Sequence, residues 1–197
     1  MTQQTLIFLG PQGCGKGTQI DLMKKVIAAA DPRPIVHFEM GKNLRELATH
    51  TDFTGRHTQE ILLAGGLIPY AVSATVFAEY LMNNLSTNDE HLIIDGFPRT
   101  ATQVPALDSA LTEFYKRTGI TVVVINISDD EAVKRLLLRG RSDDTEESIR
   151  ARLKWSHEET MPNIEWFKKN PNYKVLEING EATIEETHAR VRKALGF

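Results

Sequence analysis

The chain has 197 residues, 41% hydrophobic and 25% charged, with a formal net charge of -3 and a single cysteine. That length fits one domain with a small insertion and a core that needs neither disulfide nor structural metal. The balance of charge gives no support to nucleic-acid binding through a basic surface, and one cysteine, Cys14, excludes an internal disulfide framework or a cysteine-based zinc cluster.

In chain order, the apolar run Thr5–Leu9 reads as a first strand. It leads into Gly10-Pro11-Gln12-Gly13-Cys14-Gly15-Lys16-Gly17-Thr18, after which an amphipathic run opens at Gln19. Strand, glycine-rich turn and helix form the context in which such a turn becomes a phosphate cradle. Glycines let several backbone N–H groups point into one hollow, the helix adds its partial positive end, and Lys16 adds a full charge. The Thr18 hydroxyl is placed for a metal ion. These residues point to a bound nucleoside triphosphate. Cys14, beside Lys16, is read as a small residue filling the loop.

Asp31-Pro32-Arg33-Pro34 stops the first helix, because proline cannot continue it. A second strand is expected over 35–38. Residues 39–68 are helical and polar, and they separate strands two and three by more than an ordinary crossover requires; they are read as an inserted substrate-binding subdomain. Gly65-Gly66 closes its last helix, and Pro69 opens a helix to about Leu85.

The third strand, 92–94, is followed by Asp95-Gly96-Phe97-Pro98-Arg99. A carboxylate at the C-terminal end of a buried strand is placed to hold magnesium, directly or through water. Gly96 and Pro98 shape the turn that holds Arg99 at the mouth of the sheet. The near-continuous apolarity of a fourth strand, 121–127, fits burial on both faces. In the helix after Asp129-Asp130-Glu131, Arg135 and Arg139 share one face, and Val133, Leu136 and Leu137 are expected on the buried side.

Asp144 with Glu147, and Thr183 with Glu186, have capping-box spacing. Trp155 and Trp166 sit in the long run of residues 145–169 and are read as packing it. A fifth strand is expected over 174–178. The six histidines show no metal-ligand spacing. Arginines 45, 99, 135, 139, 141 and 152 flank the phosphate loop, as phosphoryl transfer requires: positioning and positive charge on the transferring group. No apolar run approaches membrane-spanning length, and the N-terminus lacks signal-peptide character, so a cytoplasmic location without membrane or nucleic-acid partner is expected.

The phosphate loop, Arg45, Gly65-Gly66-Leu67-Ile68-Pro69, Asp95 to Arg99, Gln103 and the segment 135–152 together resemble the adenylate kinases and their relatives, the nucleoside monophosphate kinases. The resemblance implies an α/β P-loop NTPase fold, a five-stranded parallel sheet with helices on both faces. It further implies a core of residues 1–38, 69–137 and 145–197, a monophosphate-binding insertion at 39–68 and a very short lid at 138–144.

Carried over residue by residue, Gly13, Cys14, Gly15, Lys16, Gly17 and Thr18 would wrap the ATP phosphates. Arg135 and Ala182 would meet the ATP base, and Arg139, Arg141 and Arg152 would close on the phosphates. The monophosphate would be bound by Met40, Arg45, Gly66, Leu67, Ile68, Gly96, Phe97, Pro98, Arg99 and Gln103, with Arg141 and Arg152. Asp143-Asp144 resemble the acidic pair that orients lid arginines. The cofactor implied is Mg2+ on ATP, held by Asp95 through water with Thr18, and no structural zinc; the protein would be a monomer.

The implied reaction is ATP + AMP = 2 ADP. Gln103 matches the glutamine that reads adenine, whereas Met40 stands where relatives carry Thr or Ser and cannot hydrogen-bond a base strongly. A UMP/CMP or broad-specificity kinase is therefore the alternative, and a non-catalytic nucleotide-sensing module the reading from another class. A guanine-reading Asn-Lys-x-Asp element is absent.

Overall fold

The structure is a computed structural model that describes residues 1–141 and 144–197. Its centre is a parallel sheet of β1 (Thr5–Leu9), β2 (Ile35–Glu39), β3 (His91–Asp95), β4 (Ile120–Asn126) and β5 (Tyr173–Asn179), in the order β2-β3-β1-β4-β5. Each expected strand is present, and four of them differ from the sequence reading only at their ends. From β1 the chain steps to one side for β2 and β3, then to the other for β4 and β5. The C-terminal ends of β1 and β3 therefore border the crevice where open α/β sheets take ligands.

Alternation along the strands splits the core in two. Ile7, Leu9, Ile94, Val122 and Val124 face one layer, with Phe38, Phe77, Phe97 and Leu107. Leu6, Phe8, Ile93, Val123 and Ile125 face the other, with Ile20, Met23, Ile27 and Val191. Both faces are dry, which is why the strands are apolar at consecutive positions rather than at alternate ones. Phe97, in the turn after β3, stacks on Phe77 with ring centroids 4.5 Å apart, anchoring that turn to the core.

Helix α1 (Lys16–Ala30) ends at Asp31, as the proline pair predicts. Between β2 and β3 lie α2 (Met40–Leu47), α3 (Phe53–Leu63) and α4 (Tyr70–Asn84). Gly65 takes a φ of 70° just past α3, and Pro69 immediately precedes α4. A 3-10 turn, Ala101–Gln103, runs into α5 (Val104–Asp108) and a π segment, Ser109–Phe114. Beyond β4 come α6 (Asp129–Arg139), α7 (Glu146–Trp155), α8 (Asn163–Lys169) and α9 (Ile184–Leu195).

Two local expectations are corrected. The capping box of α7 is Thr145 with Ser148, not Asp144 with Glu147, because the Asp144 carboxylate is taken by arginines. Leu137 is exposed; the stripe of α6 that meets α7 is Ala132 and Leu136, which pack on Ile149 and Leu153. Leu137 lies one residue, about 100° of helix, past that stripe. Within the run from 145 to 169, α7 widens into a π segment, Ser156–Thr160, and α8 follows separately. The box of Thr183 and Glu186 caps α9 as expected.

Candidate active site

A cavity of about 710 Å³ opens at the C-terminal edge of the sheet. One wall is the loop between β1 and α1. Gly10, Gly13 and Gly15 all have positive φ there, and for Gly10 no other residue fits. A Cβ on it would stand 2.2 Å from the Ile125 carbonyl oxygen, so the loop lies directly on β4. Gly15 immediately precedes α1 without a side-chain cap, leaving first-turn N–H groups to face the cavity, the arrangement that favours an anion. Lys16 Nζ donates to the carbonyls of Gly10 and Pro11 at 2.8 and 2.9 Å. Cys14 is buried against the loop, in keeping with a packing role.

Facing the loop are Asp95 and Arg99, carried by β3 and the turn after it. Burial pushes the Asp95 carboxyl above its usual range, the Lys16 charge working in the opposite direction. Burial lowers the Arg99 guanidinium to about 10, the Asp95 charge opposing and Arg45 and Arg152 adding to the fall. Arg99 is fixed at many points. Its Nε donates to the Gly96 carbonyl at 2.9 Å, its backbone N–H to Gln103 Oε1 at 2.6 Å, and its carbonyl accepts from Thr160 Oγ1 at 2.8 Å. Its Cζ lies 5.3 Å from the Trp155 ring centroid.

Arg45, from α2, pairs with Glu39 at 3.1 Å and lines the same cavity. A Cβ on Gly41 would come within 3.1 Å of Arg45 Nη1, so the absence of a side chain there gives the guanidinium its path. Asp144 gathers two more arginines, Arg139 at 2.8 Å and Arg152 at 2.9 Å. Burial alone would raise the Asp144 carboxyl, but these two cations hold it below the usual carboxylate range. Arg152 also donates to the Ser148 carbonyl and hydroxyl, so α7 fixes it through its own first turns. Arg135 pairs with Glu131 at 2.6 Å and reaches the Gly180 carbonyl, beside Ala182.

Gly13, Cys14, Gly15, Lys16, Gly17, Thr18, Arg135, Arg139 and Ala182 all line the cavity, as do Arg45, Gly66, Gly96, Pro98, Arg99, Arg141, Arg152 and Asp95. Met40, Leu67, Ile68, Phe97 and Gln103 lie outside its lining. Met40 and Phe97 belong to the core. Gln103 is buried, its Nε2 donating to Ser73 Oγ at 2.9 Å. Asp143 falls outside the described residues. Sequence reasoning passed over Glu39, Trp155, Ser156 and Thr160 as lining residues. Trp155 had one available signal: it stands three residues after Arg152, on the same helical face.

Among the described residues no group of three or more His, Cys, Asp or Glu side chains is placed to hold a metal ion. The oxygen donors of Asp95 and Thr18 beside a phosphate cradle fit magnesium, which keeps most of its waters and takes its other ligands from phosphates. Among the same residues no helix is long and apolar enough to cross a membrane.

A parallel sheet with a glycine-rich loop at its central strand and an arginine-lined crevice defines a P-loop NTPase fold of the phosphotransferase kind. An adenylate kinase family model matches residues 8–172. Among similar proteins, adenylate kinase of Corynebacterium glutamicum (strain R) is 36% identical over 191 residues, covering 97% of this chain and 98% of its own. That of Thermus thermophilus is 34% identical over 198 aligned positions, covering 98% of each. That of Prochlorococcus marinus (strain MIT 9515) is 35% identical over 181 residues, covering 91% of this chain and 92% of its own. The chain belongs to the adenylate kinase family, and it is an ATP-dependent nucleoside monophosphate kinase.

Proposed function

We propose that the chain transfers the γ-phosphoryl group of magnesium-bound ATP to AMP, giving two ADP, with the residues of the crevice in the following roles. The loop from Gly13 to Thr18 wraps the ATP phosphates, Lys16 moving its charge from loop carbonyls to phosphate oxygens. Arg135 and Ala182 take the ATP base. Arg45 and Arg99 take the AMP phosphate, which displaces Glu39 from Arg45. Arg139, Arg141 and Arg152 close over the group in flight, and the phosphate oxygen of AMP attacks in line. No general base is required, since that oxygen is already ionised; catalysis is positioning and charge. Asp95, through water, and Thr18 would hold magnesium, which would neutralise phosphate charge when bound.

The observation that supports this reading is one crevice lined by Lys16 from the phosphate loop, by Arg45 from the 39–68 segment and by Arg99 from the turn after β3. For the base of AMP, Gln103 is the reader. Its amide oxygen accepts the Arg99 N–H and its amide nitrogen donates to Ser73 Oγ, which ties it to the turn that carries Arg99. Met40, Gly66, Leu67, Ile68 and the turn Gly96-Phe97-Pro98 frame that pocket once residues 39–68 close over the monophosphate and residues 138–144 over the triphosphate. The protein acts as a cytoplasmic monomer.

The test is initial rates of ADP formation from ATP·Mg with AMP, CMP, UMP, GMP and dTMP in turn. AMP is expected to exceed the others in kcat/KM by at least about a hundredfold, since a site built to hydrogen-bond one base leaves its polar groups unpaired with another. A flat profile would remove Gln103 as the reader, and a preference for CMP and UMP would establish the pyrimidine alternative.

A further inference from the structure

Trp155 closes α7 and is half-buried at the cavity wall. Two contacts of different kinds meet on it. Its indole N–H donates to the carbonyl of Gly65 at 2.9 Å, 90 positions away in sequence. Its ring face lies under the Arg99 guanidinium, 5.3 Å from centroid to Cζ. Gly65 is itself pressed against the other end of the same helix, where a Cβ would stand 2.5 Å from the Ser148 carbonyl oxygen. Five residues on, in the π segment, Thr160 holds the Arg99 carbonyl. One helical stretch therefore grips the end of the 39–68 segment at Gly65 and cradles Arg99 from side chain and backbone alike. From the last turn of α7, Arg152 binds Asp144 and with it Arg139.

We propose that Trp155 is a positioning residue for the acceptor phosphate: its ring aims Arg99, and its indole N–H ties the glycine joint of the monophosphate-binding insertion to that same arginine. This rests on the reading that Arg99 receives the acceptor phosphate. A cation over an indole face is attracted by the ring quadrupole, and a tryptophan supports it better than phenylalanine. A guanidinium already desolvated and aimed loses less freedom when it takes the phosphate. Holding Gly65 sets the distance from the Gly65-Gly66 joint to Arg99, so the base and the phosphate of one ligand are read from a common frame. ATP phosphates, on the opposite wall, gain nothing directly from this frame.

The experiment is steady-state kinetics of Trp155→Leu and Trp155→Phe beside Arg99→Ala. Leucine removes both contacts and is expected to raise KM for AMP about tenfold, with KM for ATP within about twofold of the parent; the rise is smaller than the full worth of a cation–π contact and a hydrogen bond because both act on AMP only through the aim of Arg99. Phenylalanine restores a ring face without the N–H, and its KM for AMP is expected between the two. Unchanged KM for AMP in both variants would overturn the proposal, as would an equal rise in both substrates' KM, which marks a scaffold role. If Arg99→Ala leaves AMP binding intact, the assignment of Arg99 is what fails; if it abolishes AMP binding while Trp155→Leu does not weaken it, Trp155 is what fails. A measurement that keeps Trp155 in place is its fluorescence in Trp166→Phe, where it is the one tryptophan left. Its emission is expected to change along the AMP isotherm measured by calorimetry, and emission unchanged while calorimetry shows AMP bound would overturn the proposal.

Discussion

Lys16 and Arg99 stand on opposite walls of the crevice, and both are already engaged with carbonyls, Lys16 with Gly10 and Pro11, Arg99 with Gly96. Each donor is thus held in place by weak neutral acceptors that a phosphate replaces with stronger, charge-assisted bonds. Lys16→Ala and Arg99→Ala are each expected to lower the rate of transfer at least about a hundredfold, the loss typical of removing one group that stabilises transition-state charge; a coupled ADP assay at saturating ATP and AMP measures it. These two residues were legible because glycine spacing and the strand-turn context restrict what the side chain between them can do. Trp155 was legible only through its spacing from Arg152, since an aromatic residue on a helix has the same pattern whether it fills a core or carries an arginine. The placement of Met40 and Gln103 outside the cavity lining was not legible, because burial is decided by segments far apart in sequence.

At the level of elements, strands were readable nearly to the residue, because a sheet covered on both faces needs apolar, β-branched runs that little else in the chain imitates. Helix ends were less so. Thr145 and Asp144 are both good N-caps by type, and the choice between them is made by Arg139 and Arg152, which take the carboxylate and leave the hydroxyl to cap α7. A cap without such competition is Asp52, whose carboxylate accepts the Gly55 N–H at 2.8 Å at the start of α3. Asp52→Ala is expected to cost about 1 kcal/mol of stability, the usual worth of such a cap, read as a lowered urea midpoint with unchanged slope. A shift in KM for ATP would not accompany it if, as proposed, residues 39–68 bind the monophosphate.

Across the molecule, the sheet order puts every charged actor at one edge, while the opposite end holds a buried histidine. His91 at the start of β3 is fully buried, its Nδ1 accepting the Gln4 N–H at 2.9 Å and its Nε2 facing Asp31 at 3.4 Å. Burial lowers its pKa, Asp31 pulling the other way, and burial does the same to His37. Unfolded histidine titrates at about 6.5. Below that pH the unfolded chain takes up protons that the folded chain refuses, so stability is whole above about 6.5 and falls as pH drops beneath it. The thermal midpoint is expected to decline from pH 7 to pH 5, and by less in His91→Gln, which cannot titrate. The global claim, that one crevice passes a phosphoryl group between two nucleotides, is tested most directly by product stoichiometry. With ATP·Mg and AMP, phosphorus NMR is expected to show two ADP formed for each ATP consumed and no inorganic phosphate. Release of inorganic phosphate in step with ATP loss, or ATP left unconsumed, would contradict it.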